Sequence, residues 1–116
     1  MNINKYENYQ FESSSGKTPE FIQFSRDVKK YMKKLPAGIT LERFDTGHFE
    51  IYGNIKNEKN QYLYFIIGDV RWNKPTKIMY RTATGIKDYT GGRNQYSNIE
   101  TFITNIKNIF EQEYKS

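Results

Sequence analysis

From Ile39 to Ala83 the sequence repeats one pattern: a short apolar or alternating run, then a cluster of turn residues. Ile39 and Leu41 alternate, and Phe49, Ile51 and Ile55 do so after Asp45-Thr46-Gly47. This stretch reads as a hairpin, with Gly47 available for a positive φ. Asn57-Glu58-Lys59-Asn60 marks a second turn. "QYLYFIIGDVRW" (61–72) is the most apolar run and reads as a central strand, broken by Asn73-Lys74-Pro75. "TKIMYRTA" (76–83) reads as a fourth strand, with Ile78 and Tyr80 on one face and Lys77, Met79 and Arg81 on the other. Runs this short, joined by turns this short, pair antiparallel, because a parallel pair needs a long crossover.

Both flanks carry the helical period. Thr18 caps a helix, Pro19 suits its first position and Glu20 meets the positive end of its dipole. Phe21, Phe24, Val28, Tyr31 or Met32, and Leu35 then recur at helical spacing, Lys29, Lys30, Lys33 and Lys34 crowd the last turns, and "LPAG" stops the helix. Near the other end, Ser97-Asn98-Ile99-Glu100 reads as a capping box. Ile99, Phe102, Ile103, Ile106, Ile109 and Phe110 trace an apolar stripe on one final helix. The predicted fold is a single α+β domain over residues 18–116, a four-stranded antiparallel sheet flanked by an N-terminal and a C-terminal helix, α-β-β-β-β-α, with both helices most simply on one face. Residues 1–17 are polar and read as a flexible N-terminal tail, although Tyr6, Tyr9 and Phe11 offer rings that can dock.

With 116 residues the chain has room for one modest core. Ten tyrosines, eight phenylalanines and one tryptophan make up for sparse aliphatics. Surplus tyrosine is also the raw material of a binding surface. Cysteine is absent, which excludes disulfides and thiolate metal sites. No apolar export run opens the sequence and no stretch approaches a membrane span, so a cytoplasmic protein is expected. The formal net charge of +5 raises nucleic acid as a partner.

Little here points to an enzyme. The sole histidine, His48, stands beside a turn, and no nucleophile elbow precedes a helix. Glu50 and Asp69 read as strand residues and Asp45 and Asp88 as loop residues, too scattered for a metal-nuclease cluster. Asp69 reads as a partner for Arg71 or Arg81. Gly16-Lys17 lacks the strand and second glycine of a phosphate-binding loop, and no paired dinucleotide glycines follow a strand. No metal and no cofactor is expected.

Cations and rings concentrate toward the C-terminal half. Arg71, Lys74, Lys77, Arg81, Lys87 and Arg93 interleave with Trp72, Tyr80, Tyr89 and Tyr96, against only Asp69 and Asp88 as acids. Single-stranded nucleic acid needs this combination: bases stack on rings while cations hold phosphates. The same residues also read as an ordinary solvated face with Tyr80 in the core. Within the cluster, Gly91-Gly92-Arg93 stands before the last predicted helix. Exposed backbone N–H groups and Arg93 there can cradle one phosphate or carboxylate, or the glycines can simply reverse the chain.

"DVRWNKPTKIMYR", with the loop and amphipathic helix that follow, resembles the closing strand–strand–helix of the PC4-like single-stranded-DNA-binding fold. The leading helix before the sheet departs from that family. Across most of the chain, "GHFEIYG", "DVRW" and "YRTATGIKDYTGGRNQY" resemble small proteins carried by phages and mobile elements of low-GC Gram-positive bacteria. That resemblance implies an accessory role, such as a replication helper or an inhibitor of host defence. The expected function is therefore a basic, non-enzymatic accessory protein that binds nucleic acid through an aromatic and basic sheet face and the 84–96 loop. The alternative is an anti-CRISPR-like inhibitor that binds a host nuclease effector. The residues expected to carry either role are Arg71, Trp72, Lys74, Lys77, Arg81, Lys87, Tyr89, Gly91, Gly92, Arg93 and Tyr96.

Overall fold

The computed structural model describes residues 3–11, 18–86 and 91–115. Helix α1 spans Pro19–Met32, and strands β1 (Thr40–Thr46), β2 (Ile51–Lys56), β3 (Tyr62–Ile67), β4 (Lys77–Ala83) and β5 (Gln95–Asn98) follow. Helices α2 (Ile99–Thr104) and α3 (Ile106–Glu113) close the chain. The strands form one antiparallel meander in the order β1-β2-β3-β4-β5. The expected antiparallel sheet is present, but it has five strands where four were expected. Gln95-Tyr96-Ser97-Asn98 carries no apolar alternation; pairing with β4 makes it a strand, Met79 opposite Tyr96 and Ile78 opposite Ser97.

Alternation divides the sheet into two faces. Ile51, Ile55, Leu63, Phe65, Ile67 and Ile78 point into the core, each at most 1% exposed. A register shift between Leu41 and Arg43 puts Leu41 and Phe44, three residues apart, against that same core. The helices meet these residues. Phe102 of α2 lies 6.5 Å from the Phe65 ring and 5.1 Å from Tyr80, and Lys29 of α1 reaches over Phe44. The opposite face carries Arg43, Asn54, Tyr64 and Arg81 in one cross-strand row and Tyr52, Ile66, Met79 and Tyr96 in the next.

Local details depart from the sequence reading where tertiary contacts outweigh local preference. Thr18 Oγ1 accepts from Phe21 N at 3.2 Å, as its capping role requires. Ser97 lies inside β5, so the expected capping box does not form. The cap of α2 is Asn98, without a side-chain bond, and Glu100 accepts a hydrogen bond from Asn4 of the N-terminal segment. The final helix breaks at Asn105 (φ −106°, ψ 17°), next to Thr104, whose hydroxyl donates back to Glu100 O at 2.6 Å. The stripe survives that break: Ile99, Phe102, Ile103, Ile106 and Phe110 are all buried, and Ile109 is half-buried against the core. In the β1–β2 connection Gly47 keeps an ordinary φ, and the positive φ of 140° falls on Phe49. Such strain costs about 1–3 kcal/mol. Burial of the Phe49 ring offsets it, with Phe21 at 5.3 Å and the Arg71 guanidinium at 4.7 Å.

Residues 3–11, read as part of a tail, pack into the core. Ile3–Tyr6 form a 3-10 turn, and Ile3, Tyr6 and Phe11 are no more than 3% exposed. The Tyr6 hydroxyl donates to Asp27 Oδ2, Gln23 Nε2 donates to Asp27 Oδ1 at 2.9 Å, and Lys5 stands 3.6 Å away. Burial alone would raise the Asp27 pKa. The Tyr6 and Gln23 hydrogen bonds and the nearby lysines outweigh burial and hold it below the usual carboxylate range.

Candidate nucleic-acid interface

The candidate interface begins with the turn after β3, because β3 ends at Ile67 and not at Trp72. Trp72 N and Asn73 N both donate to Asp69 O, at 3.0 and 3.1 Å, and fold residues 69–73 back on themselves. The Asp69 carboxylate accepts two bonds from the Arg71 guanidinium, from Nε to Oδ1 and from Nη2 to Oδ2, each 3.0 Å. Those bonds hold the Asp69 pKa below the ordinary range against a smaller opposing effect of burial. Arg71 also lies over the Phe49 and Trp72 rings, at 4.7 and 5.7 Å. Val70, the next residue in the turn, is buried and donates its N–H to Phe49 O at 3.0 Å. With Val70 inward and Arg71 committed, Trp72 is left outside at 79% exposure.

Tyr96 arrives from the other side. It sits on β5 directly across from Met79, which in turn pairs with Ile66. Ile66, Met79 and Tyr96 thus form one row on the face opposite the helices, and Tyr96 is 74% exposed. An open trough of about 690 Å³ lies between Trp72 and Tyr96, floored by Ile66 and Met79, with Lys74 and Lys77 in its lining. Lys77 has no ion-pair partner among the described residues, and Lys74 pairs only with Glu7, at 3.5 Å. The arrangement offers two exposed rings, an apolar floor and two ammonium groups on one side of the molecule.

Of the residues expected to bind, Trp72, Lys74, Lys77 and Tyr96 come together in the trough. Arg71 stands behind Trp72 and pairs with Asp69, the partner the sequence suggested. Arg81 lies one row away; its guanidinium stacks on Tyr64 at 4.7 Å and donates to Asn94 Oδ1 at 3.3 Å. Arg93 is outside the trough, and its charge acts on Glu113 of α3, opposing the upward shift that burial gives that carboxyl. Lys87 and Tyr89 lie outside the described residues.

The glycine pair is not at the foot of a helix, because β5 intervenes between Gly92 and α2. Gly92 N donates to Thr82 Oγ1 at 3.0 Å, and a Cβ on Gly91 would stand 1.9 Å from Thr82 O. These glycines let the returning chain approach β4 closely, the chain-reversing alternative of the sequence reading. The N–H of Ile99, first in α2, is likewise engaged, donating to Thr76 O at 2.7 Å.

Sequence reasoning did not include Ile66 and Met79 in the candidate site, though both line the trough. Both were legible as strand positions, but only the register aligns them with Tyr96. Among the described residues no group of three acidic or histidine side chains is placed to hold a metal ion, and no helix is long and apolar enough to cross a membrane. Comparison with known proteins found no matching family model, no matching curated protein and no matching solved structure.

Proposed function

We propose that the trough binds single-stranded nucleic acid and that the protein is a non-catalytic accessory factor. One observation carries this reading: the two most exposed large aromatic side chains among the described residues, Trp72 and Tyr96, line a single groove with two lysines. Leaving two such rings in water forgoes apolar burial worth roughly 1.5–3 kcal/mol each. Bases stack on rings of this kind at about 1–3 kcal/mol per base without regard to sequence, while the ammonium groups track phosphates. The net charge of +5 draws a polyanion to the surface. An accessory role suits the resemblance to phage and mobile-element proteins.

Trp72 is the sole tryptophan of the chain, so its emission reports directly on the trough. Titration with a single-stranded oligonucleotide quenches that emission, and the affinity falls as salt rises. Replacing Lys77 by Ala flattens the slope of log affinity against log salt by about 0.7, the value for one lost contact on a single strand. Trp72→Ala, followed by anisotropy of a labelled oligonucleotide, weakens binding about 5- to 150-fold. Absence of binding at low salt overturns the reading. A stoichiometric complex with a nuclease effector, blocked by Trp72→Ala and formed without nucleic acid, would then favour the inhibitor reading, since exposed Trp and Tyr also dominate protein interfaces.

A further inference from the structure

The N-terminal segment continues the surface on which the trough opens. A second, smaller groove of about 190 Å³ runs between residues 7–10 and residues 71–74. Trp72, Asn73 and Lys74 line both grooves, so the two are joined at the Trp72 turn. The far wall of the second groove carries Tyr9, 46% exposed. The Tyr9 ring is backed by Tyr6 at 4.9 Å and Phe11 at 5.8 Å. Both backing rings are buried, and Tyr6 is tied to Asp27 of α1. Tyr9 is therefore a ring on a fixed base with part of its surface in water, which is what a stacking platform requires.

We propose that Tyr9 is a third stacking platform and that a single strand runs from Tyr96 past Trp72 to Tyr9. This rests on the reading of the trough as a nucleic-acid site. The order Tyr96, Trp72, Tyr9 follows from the shared lining, because Trp72 alone among the three rings faces both grooves. Lys74 stands at the junction, where it serves a phosphate from either side. Its present partner, Glu7, is no obstacle: the two side chains are 57% and 53% exposed, and a contact that wet is weak enough for a phosphate to displace. Asn8 and Gln10 add neutral polar groups along the same wall.

The path predicts a dependence on oligonucleotide length. A strand of about 4 nucleotides fills the trough alone, whereas one of about 12 reaches both grooves, within the range of single-strand binding modules. Tyr9→Ala should lower affinity for the longer strand by about 5-fold or more and leave the shorter strand unaffected. Tyr9→Phe should bind both like the wild type, because stacking uses the ring and not the hydroxyl. Trp72→Ala should weaken both. Equal affinities of wild type and Tyr9→Ala for the longer strand would overturn the third platform, as would an equal loss at both lengths, the mark of a disturbed fold. Either result, with Trp72→Ala still weakening binding, leaves the trough standing. A wild type that binds neither strand overturns the trough and the path together.

Discussion

Two groups of aromatic rings in this protein use the same chemistry toward opposite ends. Phe21, Phe24, Phe49, Phe65 and Phe102 are each no more than 3% exposed, and Phe21 meets Phe24 and Phe49, and Phe65 meets Phe102, with tilted rings. Trp72 and Tyr96 stand on the opposite side of the sheet and are mostly in water. Cations follow a similar division. Arg71 and Arg81 are stacked on rings and hydrogen-bonded, whereas Lys74 has only an exposed pairing with Glu7 and Lys77 has no ion-pair partner among the described residues. Ring and cation content alone thus identifies neither a core nor a binding surface. The difference lies in which face of a strand, or which side of a turn, each residue occupies.

The sharpest way to break this comparison is to delete one ring from each group. Phe102→Ala should destabilise the fold by about 3–5 kcal/mol, through lost burial and the cavity left against Phe65 and Tyr80. Trp72→Ala should change stability by no more than about 0.5 kcal/mol, as surface replacements do. Denaturant unfolding of both variants measures this directly. Equal losses would mean that Trp72 supports the fold and is not held out for a partner.

A smaller effect is expected where the N-terminal segment meets the core. Asp27→Asn should cost roughly 1.5–3 kcal/mol at neutral pH, the range for a hydrogen bond to a charged group. The folded-state pKa of Asp27 is depressed, so its contribution is fully present above the unfolded value of about 3.9 and is lost as pH falls through the folded value below that. The stability difference between wild type and Asp27→Asn should therefore be constant above about pH 5 and shrink on acidification. A difference that does not change with pH would show that the hydrogen bonds, and not the charge, hold Tyr6 and the base of Tyr9.

The third comparison sets two glycines of one connection against each other. Gly91→Ala should cost about 1–3 kcal/mol, because its Cβ meets backbone that cannot move aside. Gly85→Ala meets nothing within 4 Å and should lie within about 1 kcal/mol of wild type. Thermal melts of both separate a structural glycine from a permissive one. If Gly91→Ala instead melts like wild type and loses oligonucleotide binding, the phosphate-cradle reading of the glycine pair returns.

Much of the architecture was legible from residue order. Period-two runs between turn residues specify antiparallel strands, and the stripe from Ile99 to Phe110 specifies a buried helical face, because both patterns follow from local backbone geometry. The assignment of Ile78 and Tyr80 to one face and Lys77 and Met79 to the other followed from the same rule and holds in β4. The four trough residues were within reach because rings and cations interleave in a short stretch. Non-local decisions were not legible. Strand β5 exists because an edge was open for pairing, and Gly91 and Gly92 are spent on that return. Residues 3–11 look like a tail in composition, yet Ile3, Tyr6 and Phe11 find an apolar face and Tyr6 finds the carboxylate of Asp27. Which arginines are occupied and which lysines are free depends on neighbours far apart in sequence, such as Glu7 beside Lys74 and Glu113 within reach of Arg93. Local periodicity is written into consecutive residues; pairing across a sheet, docking of the N-terminal segment and exposure of Trp72 and Tyr96 are settled only when distant segments compete for the same surface.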